Sequence, residues 1–167
     1  MLSELRLVRP SLAYEGQILA FRAECLAADG SHLMGVGGLD ERGVPAWLEL
    51  LEKKSRPETC PEGLVPDSQF LCLSAADNRL VGMINIRHRL NEYLRDFGGH
   101  IGYIIRPGER GKGYAARQLQ LGLIECAGLG IDPVLITCLD DNERSRRTIL
   151  KGGGVYEDIR ERDDGRR

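Results

Sequence analysis

The run from Gly98 to Gly130, GGHIGYIIRPGERGKGYAARQLQLGLIECAGLG, constrains the fold more than any other part of the chain. It opens on Ile101-Gly-Tyr-Ile-Ile105, a short apolar segment rich in β-branched residues, which reads as a strand. Pro107 stops it, because proline has no N–H to give a ladder and biases Arg106 towards extended geometry. A glycine-punctuated turn follows, Arg110-Gly111-Lys112-Gly113, and then about sixteen residues of helical periodicity. Ala115, Leu119, Leu123 and Ala127 recur every four residues, Ala116 and Ile124 lie beside them, and Gly130 stands where a C-terminal cap belongs. Strand, glycine turn and helix together present free N–H groups and a positive helix end to an anion, most often a phosphate.

The turn fits some anions better than others. Gly108 and Gly113 have the spacing of a nucleoside-triphosphate loop, but Tyr114-Ala115 follows where a lysine and a metal-binding hydroxyl are required, so that reading fails. Gly111-Lys-Gly113-Tyr-Ala-Ala116 satisfies a dinucleotide fingerprint. Against it, roughly a hundred residues precede the motif and Asp132 lies before the next strand instead of at its end. A dinucleotide-binding oxidoreductase, or a turn that merely joins a strand to a helix, stays open as an alternative.

The 167 residues are enough for one domain, 1–167, with a sizeable core. Apolar residues make up 42 % and charged residues 29 %, an ordinary globular balance. A net charge of −2 advertises neither nucleic acid nor an anionic membrane as partner. The N-terminus has no apolar signal-peptide core, and no run approaches membrane-spanning length. Five scattered cysteines without a C-x-x-C pair argue against a disulfide framework and against zinc, which implies a reducing, cytoplasmic compartment. Three isolated histidines make no metal site.

In chain order, Leu5–Val8 reads as a strand, and Ser11 can cap a helix running to about Ala28. Residues 30–43, with five glycines and few anchors, read as a mobile loop. Pro45–Lys54 reads as a second helix with Trp47, Leu48, Leu50 and Leu51 on its buried stripe, and 55–67 as another loop. Phe70–Ser74 and Leu80–Ile86 form a hairpin about Asp77-Asn78. After the long helix, Val134–Cys138 reads as a strand parallel to its predecessor, Asn142 or a neighbouring aspartate caps a short helix to Lys151, and Val155–Ile159 is a last strand. The pattern is α+β: a mixed sheet of six to seven strands with helices on both faces.

Ile105-Arg106-Pro107 followed by Arg110-Gly-Lys-Gly-Tyr-Ala115 resembles the signature of the GNAT superfamily of acyl-CoA-dependent N-acetyltransferases, an apolar-x-Pro strand end and then Gln/Arg-x-x-Gly-x-Gly/Ala. Ile84–Asn91 (INIRHRLN), Gly98–Tyr103 and Asp141-Asn142 through Lys151-Gly-Gly are similar to a bacterial subgroup of that superfamily, and the resemblance covers most of the chain, weakest before residue 60. It implies a GNAT-like fold, acetyl-CoA as co-substrate without a metal, and acetylation of a small-molecule amine or peptide by direct attack. It also leaves room for a coenzyme A-binding protein without turnover. The pyrophosphate loop is then Arg110, Gly111, Lys112, Gly113, Tyr114, Ala115 and Ala116, and strand N–H groups at Tyr103, Ile104 and Ile105 polarise the thioester. Asn142 falls where the family contacts pantetheine, or is simply a helix cap. His100 fills the position of the family's basic glutamate, or is a core histidine joining two strands. His88 and Asn91 lie towards the implied acceptor side. The family's usual acidic tyrosine, seven residues beyond Asn142, is replaced by Ile149, leaving Tyr103, Ser145 and Cys138 as substitutes. The charged tail Glu161–Arg167 offers no closing strand, so a weakened sheet edge near 155–160 or a homodimer covering it is expected.

Overall fold

The structure, a computed structural model, describes residues 2–167. Four strands, β1 (Leu5–Val8), β2 (Asp67–Ser74), β3 (Leu80–Arg87) and β4 (Ile101–Ile105), pair in sequence order as one sheet. Every pairing is antiparallel. Helices α1 (Glu15–Asp29) and α2 (Val44–Lys54) cover one face, and α3 (Tyr114–Gly128) and α4 (Glu143–Lys151) lie towards the other. The first face buries Ile18, Phe21, Trp47, Leu71, Leu73, Met83 and Ile104 together. The second joins Phe70, Ile84, Ile86 and Ile101 to Leu119 and Cys126 of α3. Strand alternation sends successive β3 and β4 side chains to opposite faces, so both layers are apolar. Gln118 of α3 donates from Nε2 to the main-chain oxygen of Met83 (3.0 Å), which fixes the helix over the sheet. Among the described residues no helix is long and apolar enough to cross a membrane.

The expected six- to seven-stranded mixed sheet is not formed: among the described residues there are four strands, none parallel. Val134–Cys138 meets the sheet only through an antiparallel bridge of Ile136 to Gly99. The cause is local. His100 N–H donates to Leu135 O (2.7 Å), and the Leu135 N–H donates to Nδ1 of the His100 ring (2.9 Å) instead of to a main-chain carbonyl. With that donor taken, the ladder stops, and Val134 and Ile136 serve as side-chain packing against the α3 core. Val155–Ile159 is no strand either. It has no neighbour to pair with, and Val155 is 92 % exposed. The tail is held by an Arg160–Asp96 ion pair and by Arg162 over the rings of Tyr93 (5.8 Å) and Phe97 (5.7 Å). The edges of the sheet are therefore β1 and β4, and residues 155–160 form neither.

Residues 31–43, a strap that crosses β4 at Gly35, also differ from a loop with few anchors. Leu33, Val36 and Leu39 are buried, the Trp47 indole donates to Val36 O (2.9 Å), and Gln69 Nε2 donates to Gly35 O (2.9 Å). At Gly35 the segment lies directly on β4: a Cβ would stand 2.6 Å from Tyr103 Cα, and the backbone has φ +71°. Only glycine permits that crossing. Gly35→Ala is expected to lower stability by about 1–3 kcal/mol, from overpacking and left-handed strain, in urea unfolding.

Burial pushes the Cys25 and Cys126 thiols up to about 11 and Cys72 to about 12. A disulfide reagent at pH 8 should therefore label no more than Cys60 and Cys138, which are half-buried, until denaturant is added.

Candidate functional site

A cleft of about 630 Å³ runs along the outer edge of β4. Tyr103, Ile104 and Ile105 form its floor. Arg106 N–H donates to Val81 O, so by antiparallel alternation the N–H groups of Tyr103 and Ile105 point outwards, away from β3, whereas that of Ile104 turns to β3 and is not free for a thioester as expected. The turn before α3 closes one end. Gly111 (φ +77°) and Gly113 (φ +91°) swing the chain so that Gly113 caps the helix in a left-handed conformation with no side-chain cap bond. Among the described residues none of the N–H groups of Gly111, Lys112, Gly113, Tyr114, Ala115 or Ala116 meets an acceptor, and the first that does is Arg117, bonded to Gly113 O. Six acceptor-free donors at a helix N-terminus beside a cleft have the chemistry to hold an anion.

The side chains of this turn are already committed. Arg110 donates through Nε to Ile105 O (2.9 Å) and through both terminal nitrogens to the Asp29 carboxylate, at 2.7 Å from Nη1 to Oδ1. Arg106 makes the corresponding pair with Glu24, five residues earlier on α1. Glu109 is buried and binds Arg79 (2.7 Å) and Lys112 (3.1 Å). Bidentate pairing of this kind fixes the turn to α1 and to the β2–β3 hairpin. An anion therefore meets N–H groups first, not the guanidinium of Arg110.

Two walls flank the edge. On one side α4 contributes Asn142, Ser145 and Thr148, with Arg144, Arg147 and Lys151 at the mouth. Asn142 Oδ1 accepts the Ser145 N–H (3.2 Å) as the helix cap, leaving its amide NH2 as donor. Among the described residues Arg144 and Lys151 have no ion pair, and Arg147 pairs only with Glu143 on its own exposed surface. The Tyr103 hydroxyl lies 2.6 Å from Ser145 Oγ. Burial raises the Tyr103 pKa, with the Ser145 hydrogen bond opposing it. Ile149 points into the α3 core beside Phe70 and Leu119. On the other side stand Asp29 and the strap residues His32, Leu33 and Met34.

The cleft thus brings together Tyr103, Ile104, Ile105, Arg110, Gly111, Gly113, Tyr114, Ala115, Ala116 and Asn142. Lys112 adjoins it, turned to Glu109. His100, His88 and Asn91 do not line it. His100 is 9 % exposed, its Nδ1 is occupied by Leu135, and burial and then Arg87 lower its pKa. That is the geometry of a histidine joining two segments. His88 Nε2 contacts Ser68 Oγ (2.8 Å), and burial lowers its pKa. Asn91 Oδ1 caps the turn at the Leu94 N–H (2.9 Å). Asp29, His32, Met34 and Thr148 were not legible as site residues, because nothing local says that the strap crosses β4. The basic residues of α4 recur at i, i+3 and i+7, a one-sided stripe visible in the sequence without a partner to assign it.

A family model described as an acetyltransferase (GNAT) domain matches residues 26–155. The chain belongs to this family. No curated protein matches it, but solved structures share the fold. An acetyltransferase of the GNAT family from Streptococcus pneumoniae has 16 % identity and a TM-score of 0.64, with 96 % of this chain and 89 % of that one covered. A spermidine N-acetyltransferase chimera of Vibrio cholerae SpeG and hSSAT has 17 % identity and a TM-score of 0.59, covering 93 % and 83 %. RimL, a ribosomal L7/L12 alpha-N-protein acetyltransferase in complex with coenzyme A, has 14 % identity and a TM-score of 0.59, covering 89 % and 78 %. The GNAT assignment removes the dinucleotide reading, as does the sheet, which has no parallel βαβ unit around the turn.

In this GNAT protein the Arg110–Asp29 pair is a structural tie. A double-mutant cycle with Arg110→Gln and Asp29→Asn is expected to give a coupling of roughly 0.5–1 kcal/mol in urea unfolding, modest because both groups are part-exposed.

Proposed function

We propose that this protein is an acetyl-CoA-dependent N-acetyltransferase acting on a primary amine of a small molecule or peptide, by direct attack of the amine on the thioester. The observation that carries this reading is the set of acceptor-free N–H groups from Gly111 to Ala116 at one end of the unpaired β4 edge. A pyrophosphate fits the first feature, and an extended amide-bearing arm fits the second. Acetyl-CoA supplies the activated acyl group.

The chain's own groups then divide the work. Gly111 to Ala116 bind the diphosphate through N–H groups and the α3 dipole. Arg144 and Lys151 add uncommitted positive charge at the mouth. The outward N–H groups of Tyr103 and Ile105 hold the arm and polarise the carbonyl, and the Asn142 amide donates to the same arm. Tyr103 donates a proton to the leaving sulfur, with Ser145 holding its hydroxyl in place. Its raised pKa keeps the phenol protonated through neutral pH, so an alkaline limb due to Tyr103 belongs above about 10. Two acceptor classes enter from the fold neighbours, one acting on spermidine and one on a protein α-amine. A second reading, coenzyme A binding without turnover, is favoured by Ile149, which buries an alkyl chain where the family carries its acidic tyrosine.

Calorimetric titration with acetyl-CoA tests the reading, with Gly111→Asp as control. A Cβ at Gly111 meets open space and aspartate tolerates positive φ, so the fold survives while a carboxylate enters the anion site. The parent is expected to bind and the variant to bind at least a hundredfold more weakly. Absence of binding by the parent overturns the proposal. Thiol release with spermidine and with serine- and alanine-initiated peptides separates turnover from binding alone. Tyr103→Phe is expected to lower kcat at least tenfold with acetyl-CoA affinity kept.

A further inference from the structure

Amide formation requires a proton to leave the attacking nitrogen, and the groups assigned so far do not take it. Two carboxylates line the cleft, and both are engaged. Asp29 carries the bidentate Arg110, and Glu109 is clasped by Arg79 and Lys112. Tyr103 is the proton donor. His100 lies outside the cleft with its Nδ1 already accepting a main-chain hydrogen bond.

One imidazole lines the cleft. His32 sits on the strap wall, its imidazole 78 % exposed. Its Nδ1 is 3.4 Å from Oδ2 of Asp40, whose side chain is only 4 % exposed and is fixed by the Leu33 N–H (3.1 Å). Closed to hydrogen-bond distance, this contact would place the ring proton on Nδ1 and leave the lone pair on Nε2. The contact is longer than a closed hydrogen bond, as catalytic contacts are before substrate tightens them. The strap that carries both residues is pinned by Trp47, Gln69 and the Gly35 crossing on β4, so the wall on which His32 stands is held by packed structure. The charged groups around it are Asp40 on the strap, Asp29 with Arg110 at the end of α1, and Arg144, Arg147 and Lys151 across the cleft.

We infer that His32 is the general base of the proposed acetyl transfer, positioned by Asp40. As the bond from the amine nitrogen to the carbonyl carbon forms, Nε2 of His32 takes the nitrogen's proton. The carbon–sulfur bond breaks, and the sulfur leaves with the electron pair and the Tyr103 proton. The imidazolium gives its proton to water, and the phenolate recovers one from water. This rests on the acetyltransferase reading.

The test is kcat/KM against pH for acetyl-CoA with spermidine or a serine-initiated peptide, whichever turns over. The parent shows an acid limb. His32→Ala is expected to lose at least a hundredfold in rate and to lose that limb, with acetyl-CoA binding unchanged. Added imidazole restores part of the rate, since an exposed ring leaves a solvent-open space. Asp40→Asn, which keeps an oxygen for the Leu33 N–H, loses about tenfold in kcat, and His100→Gln keeps the acid limb. An active parent whose His32→Ala variant keeps both rate and limb overturns the base assignment alone. A parent that binds acetyl-CoA and acetylates no amine overturns the transferase reading and this inference with it.

Discussion

β4 has a hydrogen-bonded strand on one side only, and the site depends on that asymmetry. An unpaired edge attracts other chains, and natural sheets blunt or cover it. Here it is neither paired nor left bare. At its start the His100 ring ends the ladder by taking the Leu135 N–H. At its end Arg110 takes the Ile105 carbonyl. Between those stops the strap and α4 rise on either side, so the free groups of the edge line a cleft open to a small extended ligand. Restoring a regular neighbour at Val134–Cys138 would fill the space in which the proposed reaction takes place.

The charges around the turn explain why the proposed binding of an anion there falls to the main chain. Arg79, Arg106, Arg110 and Lys112 are matched by Glu24, Asp29 and Glu109, so this cluster contributes stiffness more than field. Each pair ties the turn to a different neighbour, and the N–H groups it presents are held in one direction before a ligand arrives. Preorganised donors cost no reorientation on binding. The uncompensated charge lies across the cleft on α4, a helix that fully buries none of its residues and is held by the Tyr103–Ser145 contact, the Asn142 cap and the packing of Ile149.

What could be read from the sequence follows how local each cause is. The strand, turn and helix from Ile101 to Gly128 were legible because proline, glycine and four-residue periodicity act within a few residues. The hairpin of β2 and β3 and the helix α2 were legible for the same reason. Val134–Cys138 carries every local mark of a strand and fails through a side chain thirty-five residues away in sequence, the His100 ring. Val155–Ile159 fails for want of a partner, which no local pattern reports. The strap at 31–43 looked mobile because glycines mark turns equally well in loose and in tightly packed segments; Gly35 is there for a 2.6 Å approach to Tyr103. His32 and His100 were separable only once that crossing was known, since each is a lone histidine in the sequence.

The two-residue period of β4 bears directly on how the proposed reaction is divided. Tyr103 belongs with Ile84 and Ile101 to the α3 side of the sheet, whereas Ile104 belongs with Met83 and Leu71 to the α1 side. The strap packs on the α1 side and α4 on the α3 side. A thioester lying along the edge therefore has the phenol of Tyr103 on one side and the imidazole of His32 on the other. The amine approaches from the strap and the sulfur departs towards α4, so the proton removed and the proton supplied never share a path. Ile149 fits this division. With a hydroxyl rising from β4 itself and steadied by Ser145, the helix position no longer needs a proton donor and is free to anchor α4 in the core.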